Sequence, residues 1–239
     1  MNSDTLIIIP AHNEAGGIAR LIADIRAKAP GVDVAVVDDG STDSTNFEVS
    51  KTGATVIRLP FNLGYGGALQ TGFKYAISRG YQYTVQMDAD GQHEPSYIPR
   101  LLEPIKAGLA DMALGSRFMG LGEYRSTFLR GTGMKLFGSI ASIIIGRRVT
   151  DPTSGFQAMN REVMRFYASD LYPIDFPDAD VLIMLHRAGL KSVEIPVEMY
   201  RRAEGVSMHS GLKPVYYVFK MLLSILVTLL RENTFRKEV

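Results

Sequence analysis

Short apolar runs alternate with stretches of helical spacing through the first half of the chain. Leu6 to Ile9 is a continuous apolar run, too short to cross a bilayer and suited to a strand buried on both faces. Over residues 15–29 the spacing becomes helical: Ile18, Leu21, Ile22 and Ile25 share one face while Arg20, Asp24 and Lys28 point away. Pro30 and Gly31 end that helix. Residues 32–37 and 54–59 predict two more strands, 66–79 a helix with Ala68, Leu69, Gly72, Phe73, Ala76 and Ile77 inward, and 83–87 a fourth strand. A helix over 95–106 and a fifth strand over 111–116 follow. This alternation with short connections predicts an α/β fold, a Rossmann-like, mostly parallel sheet flanked by helices.

Beyond residue 117 the pattern loosens. Gly120 and Gly122 mark a loop, residues 127–146 read as helix, and 151–155 as a polar turn. Residues 160–188 hold two helices broken around Pro173 and Pro177, and 193–200 alternates as a strand does. The most apolar stretch is residues 215–230, whose 16 positions span only about 24 Å as a helix, less than the roughly 30 Å of a hydrocarbon layer. Tyr216, Lys220, Ser224, Thr228 and Glu232 recur every fourth position and draw one polar stripe along it, so the helix is amphipathic. It either packs on its own domain or a second subunit as a homo-oligomer contact, or lies on a membrane surface through residues 212–232. Lys213, Arg231, Arg236 and Lys237 would then meet anionic headgroups.

Composition narrows the chemistry. The 239 residues suffice for one core, 46% hydrophobic and 21% charged being ordinary for a folded domain. A net charge of +1 from 26 basic and 25 acidic residues gives no basis for nucleic-acid binding. The absence of Cys excludes disulfides, Cys-ligated zinc, iron–sulfur centres and cysteine nucleophiles. With the first apolar run starting at Leu6, the expected location is cytoplasmic, peripheral at the inner face of the membrane if the last helix binds lipid.

Ligands of open parallel sheets bind beyond the carboxyl ends of the strands. Three predicted strands end there in polar groups: Pro10-Ala11-His12-Asn13-Glu14, Asp38-Asp39-Gly40-Ser41-Thr42-Asp43 and Asp88-Ala89-Asp90-Gly91-Gln92-His93. Carboxylates gathered at apolar strand ends repel one another, and a bound cation offsets that repulsion. Oxygen ligands without Cys favour Mg²⁺ or Mn²⁺ clamping a diphosphate. Each segment also has a plainer reading, with Ser41 or Thr42 as a helix cap and Glu14 as a first-turn helix acid. His12 and His93 read as loop residues. The Gly64-Tyr65-Gly66-Gly67 cluster has Leu69 where a dinucleotide fingerprint needs glycine, and no phosphate-binding G-x-x-x-x-G-K-[ST] loop occurs, although the glycines still bring backbone N–H groups toward a nucleotide.

The ordered set of 10–14, 38–43, Asn62-x-Gly64 with Ala68 and Gly72, 88–92 and Gly115-Ser116-Arg117 resembles family 2 glycosyltransferases of GT-A fold. Asp151-Pro152-Thr153-Ser154-Gly155-Phe156 is similar to the dolichyl-phosphate mannosyltransferase and bacterial polyprenyl-phosphate sugar transferase branch. The resemblance covers residues 5–207. It implies an inverting enzyme that moves a sugar from a UDP- or GDP-sugar to a polyprenyl phosphate, with a sugar hydroxyl of a lipid-linked or cell-surface glycan as the other acceptor. It divides the chain into a nucleotide-sugar half (1–116), an acceptor half of the same domain (117–210) and a terminal helix with tail (211–239). Pro10, Ala11, Glu14, Asp39, Gly67, Asp88 and Ala89 would line the donor nucleotide site, and Asp90 with Gln92 would hold the metal. Arg117, Arg125, Ser154, Arg202 and Ser207 would take the phosphates and acceptor.

Asp90 and Asp151 carry the catalytic expectations. An ionised lipid phosphate needs no strong base, whereas a sugar hydroxyl would require one, and Asp151 would be that base, or else orient the acceptor or pair with an arginine. The chain departs from the family at Tyr65, often a cation, at Asp180, commonly Glu, and at Met208, typically Lys. Two cations fewer weigh against the lipid-phosphate acceptor. Readings from other classes are a nucleotidyltransferase, whose basic glycine-rich first loop is missing, and a non-catalytic nucleotide-binding interaction protein.

Overall fold

A computed structural model describes residues 3–120, 128–173, 177–200 and 213–231. Strand β1 (Thr5–Ala11) is buried along its whole length. Helix α1 (Ile18–Lys28) leads to β2 (Asp33–Asp38), α2 (Thr45–Ser50), β3 (Thr55–Arg58), α3 (Tyr65–Ser78) and β4 (Tyr83–Gln86). A single 3₁₀ turn (Pro95–Tyr97) opens α4 (Ile98–Lys106), followed by β5 (Met112–Ser116) and α5 (Phe128–Ile145). The chain continues through β6 (Gln157–Asn160), α6 (Arg161–Ala168), α7 (Ala179–Arg187), β7 (Ser192–Pro196) and α8 (Lys213–Leu230).

One seven-stranded sheet runs in the order β3-β2-β1-β4-β6-β5-β7. All pairings are parallel except those of β6, which is antiparallel to β4 and to β5. The side-chain period of two divides the core. Leu6 and Ile8 of β1 face α3 and α5 to α8, while Ile7 and Ile9 face α1 and α4. Helix α1 packs through Ile18, Leu21, Ile22 and Ile25, the face its spacing predicts.

Three elements differ from expectation, and one of them is β7, which ends at Pro196 where the alternation predicts a strand to residue 200. The four residues of β6 carry polar ends and no alternation, and they form a strand because β4 and β5 supply ladder partners on both sides. Helix α2 starts at Thr45, beyond Ser41 and Thr42, neither of which caps it. Asp43 Oδ1 accepts from the Thr45 N–H at 2.9 Å instead.

Among the described residues no helix is long and apolar enough to cross a membrane. Helix α8 packs on α7 with Ser224 and Thr228 of its polar stripe inward. The Ser224 hydroxyl donates to Asp180, which is fully buried, and Thr228, Met221 and Ile225 are buried beside it. The Arg187 guanidinium caps the end of α8 on the carbonyls of Thr228, Leu229 and Arg231. The outward face is left to Phe219 (63% exposed), Leu222, Leu223, Leu226, Val227 and Leu230 (78%).

Candidate active site

The parallel strands β1, β2 and β4 deliver their carboxyl ends to one edge of the sheet, with Ala11 paired to Asp38 and Ile8 to Gln86. Three loops meet there. Asn13 takes a positive φ of 57°, a conformation asparagine tolerates better than most residues, and its Oδ1 accepts the N–H groups of Thr42 (2.9 Å) and Asp43 (3.3 Å). In return the Ser41 hydroxyl oxygen accepts the Asn13 N–H at 3.0 Å. His12 places Nδ1 2.8 Å from the Asp39 carbonyl, so the proton lies on Nδ1. The loop after β1 is thereby clamped to the loop after β2.

Asp39 is almost fully buried, and its two oxygens accept from the N–H groups of Leu63 (2.6 Å) and Gly64 (3.0 Å). It therefore fixes the loop that opens α3. Gly40 at φ +66° permits this closeness, since a Cβ there would lie 2.7 Å from the Asn62 nitrogen. Asp38 is fully buried too. Its Oδ1 takes the Ser41 N–H at 3.0 Å, and among the described residues its Oδ2 has no hydrogen bond, the nearest cation being Arg58 Nε at 4.0 Å.

Asp88 stands at the centre of the edge. Its Oδ1 accepts from the Tyr65 hydroxyl at 2.7 Å, and Gln86 Nε2 donates to that same phenol oxygen at 3.0 Å. Burial, reinforced by the Asp88 charge, pushes the Tyr65 phenol well above its ordinary range, so it stays a donor. His93 is buried, stacks on Phe156 at 4.9 Å and accepts the Asp88 N–H on Nδ1 at 3.1 Å. Its proton therefore lies on Nε2, 3.6 Å from Asp88 Oδ2. Gly155 brings the turn after β5 and α5 against this carboxylate: a Cβ there would sit 2.9 Å from both Asp88 Oδ2 and the Tyr65 oxygen.

Asp90 Oδ1 accepts the Gln92 N–H at 3.1 Å, which draws the two side chains onto one turn. Gln92 spends its amide nitrogen on the Tyr200 carbonyl at 3.2 Å, and Oε1 has no partner among the described residues. Among the described residues no three His, Cys, Asp or Glu side chains gather as a metal site. The donor set nevertheless suits Mg²⁺ or Mn²⁺, which bind through one or two carboxylates, water and substrate phosphates. One carboxylate and one amide oxygen on a turn, beside the half-exposed Asp88, meet that description.

Asp151 is fully buried and bound by Arg117 in a bidentate pair, Nε to Oδ2 at 2.7 Å and Nη2 to Oδ1 at 2.6 Å, with the Arg117 N–H also on Oδ2 at 3.1 Å. Glu194 of β7 holds this turn by accepting the N–H groups of Thr150 (2.9 Å) and Asp151 (2.8 Å). The Ser154 hydroxyl is buried and accepts the Phe156 N–H at 3.3 Å. Pro10, Ala11, Gly67 and Ala89 are buried around the edge and offer backbone rather than side chain, and Glu14 is half-buried at its rim. Arg125, Arg202 and Ser207 lie outside the described residues.

The geometry shows roles that reading the sequence missed. Tyr65 is a hydrogen-bond donor to Asp88 and His93 a support for it, while Glu94, Glu194 and Tyr200 anchor the loops. The spacing of five between Asp88 and His93 was the one available signal, since both fall in a single loop.

Residues 6–167 match the family described as Glycosyl transferase family 2. The chain belongs to that family. It is a glycosyltransferase of mostly parallel α/β, GT-A fold. It is 33% identical over 218 residues to the polyprenol monophosphomannose synthase of Mycolicibacterium smegmatis, covering 87% of this chain and 81% of that one. With the undecaprenyl-phosphate mannosyltransferase of Micrococcus luteus it shares 33% identity over 216 residues, covering 86% and 87%. The crystal structure of glucosyl-3-phosphoglycerate synthase from Mycobacterium tuberculosis with Mn²⁺ and uridine-diphosphate-glucose superposes with a TM-score of 0.65 at 22% identity, covering 94% of this chain and 78% of that one. This last similarity is one of fold.

Proposed function

We propose that this glycosyltransferase moves a sugar, with inversion, from a UDP- or GDP-sugar to a polyprenyl phosphate at a membrane surface. The observation that carries the reading is the edge bearing Asp88, Asp90 and Gln92, against whose Asp88 carboxylate Gly155 brings the turn that holds the Arg117–Asp151 pair. Pro10, Ala11, Glu14, Asp39, Gly67, Asp88 and Ala89 form the donor pocket of this reading. Asp90 and Gln92 hold Mg²⁺ or Mn²⁺, and the bound ion supplies charge neutralisation at the leaving diphosphate. The Mn²⁺ and sugar nucleotide in the synthase that shares the fold support that donor and metal.

The remaining chemistry falls to the chain. An acceptor phosphate oxygen attacks the anomeric carbon from the face opposite the diphosphate, the new C–O bond forming as the bond to the nucleoside diphosphate breaks. The attacking oxygen is already ionised near neutral pH, so no proton must be removed. Asp151, enclosed and bonded on both oxygens by Arg117, serves this scheme by orienting the guanidinium rather than as a base. Arg117, Arg125, Arg202, Ser154 and Ser207 are its phosphate and acceptor contacts.

Two further observations support the lipid acceptor. The relatives above are named for polyprenol and undecaprenyl phosphates. Residues 201–239 also hold seven Lys or Arg against three Asp or Glu, so +4 of a chain totalling +1 lies there, next to the apolar outward face of α8, and residues 1–200 carry −3. That division suits an anionic bilayer and supports a peripheral position on it. The test is a panel of UDP- and GDP-sugars assayed against polyprenyl phosphate and lipid-linked glycan with Mg²⁺ or Mn²⁺. Transfer to the phosphate is expected, with loss of at least about a hundredfold in Asp90→Asn. Transfer to the glycan hydroxyl alone would overturn the acceptor assignment.

A further inference from the structure

Gln92 is held by a residue 108 positions further along the chain. Tyr200 lies four residues beyond the end of β7. Its N–H donates to the Gln92 carbonyl at 2.8 Å, its carbonyl accepts the Gln92 side-chain amide at 3.2 Å, and Met199 makes one antiparallel bridge with His93. A carbonyl only accepts, so the Gln92 –NH₂ must face it and Oε1 must face away. The orientation of this amide is therefore dictated by the backbone of Tyr200.

The Tyr200 backbone is in turn held by its own side chain. The ring is half-exposed and packs little, yet its hydroxyl donates to Glu94 Oε2 at 3.0 Å. Glu94 is buried and doubly fixed: Lys28 Nζ at the end of α1 reaches its two oxygens at 2.8 and 3.0 Å, and the Ser96 N–H donates to Oε1 at 3.0 Å. A chain of groups thus runs from α1 through Lys28, Glu94 and the Tyr200 hydroxyl to the Tyr200 backbone and the Gln92 amide. The Met199–His93 bridge also ties the segment after β7 to the loop after β4.

We propose that Tyr200 is a positioning residue for the metal: anchored through Glu94 and Lys28, it turns the Gln92 amide oxygen toward the cation without touching it. The proposal rests on the reading of Gln92 as a metal ligand, and its test separates the two. Mn²⁺ is titrated into the full chain with saturating UDP, and separately GDP, following the free-ion electron paramagnetic resonance signal. Gln92→Ala is expected to weaken Mn²⁺ binding by at least about tenfold and Tyr200→Phe by about tenfold, the lower end of the range seen when outer partners of metal ligands are removed. The double variant is expected to bind no more weakly than Gln92→Ala alone, because without the amide there is nothing left to orient. A loss in the double variant equal to the product of the single losses would overturn the proposal, as would unchanged Mn²⁺ binding in Tyr200→Phe beside a weakened Gln92→Ala. Unchanged binding in Gln92→Ala would remove the ligand reading itself, and the proposal with it. Lys28→Met, on α1 and away from the metal, keeps the test available if Tyr200→Phe does not fold. It is expected to weaken Mn²⁺ in the same direction by a smaller factor, and an unchanged value would count against the chain of groups.

Discussion

At the scale of single residues, the candidate edge is built from side chains that hold one another rather than from side chains waiting on a ligand. Asp39 ties down the loop opening α3, Asn13 joins two loops, and Tyr65 and His93 fix Asp88 from different sides. Such prior fixing lowers the reorganisation a reaction would otherwise need. Gly155 is the most demanding position in this set. Gly155→Ala would force its new methyl, 2.9 Å from Asp88 Oδ2 and from the Tyr65 oxygen, to displace one of them. We expect kcat/KM for the donor to fall by about a hundredfold, the scale of a misplacement near 1 Å, while the thermal midpoint moves little. Steady-state kinetics beside a melting curve checks this, and undiminished turnover would show that the Asp88 carboxylate is not at the reaction centre.

At the scale of elements, the mounting of α8 has a titratable cost. Asp180 is buried, and desolvation raises its carboxyl above the usual value of 3.8 despite the Ser224 hydroxyl and the N–H groups of Asp178 and Val181. A carboxyl raised on folding favours the folded state while protonated and loses that contribution as pH climbs through 3.8 toward the folded value. Asp180→Asn keeps an acceptor for the backbone and a donor for Ser224. It is expected to raise the thermal midpoint at pH 7 and to flatten its decline above pH 4, and an equal or lower midpoint at pH 7 would contradict this account. Legibility divides at this scale as well. The strands β1, β2 and β4 were readable because apolar runs stop abruptly at acidic clusters, and that same pattern pointed to the candidate edge. Strand β6 and helix α2 were not, since four and six residues with polar ends carry no usable period and take their conformation from neighbours. Contacts such as Tyr200 on Gln92 leave no trace in local spacing at all.

Across the whole molecule, α8 presents an apolar outward face, residues 201–239 are net positive in sequence and residues 1–200 net negative. Sedimentation with vesicles tests the consequence. Binding to anionic vesicles is expected at about 0.1 M salt, with at least a tenfold loss at about 0.5 M salt or on neutral lipid, given roughly 1 kcal/mol per basic residue near such a surface. Leu226→Glu with Leu230→Glu is expected to abolish it, and binding indifferent to charge, salt and these substitutions would refute the membrane reading. The sheet order has its own consequence for synthesis. Among the described residues strand β5 is hydrogen-bonded only to β6 and β7, both made later, and β4 also waits for β6 on its outer side. A nascent chain released from the ribosome only as far as Ser116 therefore carries one strand with no neighbour and another with a bare edge, both open to pairing with other chains. The backbone that closes this gap, Gln157–Asn160, emerges just after the turn bearing Asp151 and Gly155, so the sheet is sealed only once that turn has been made.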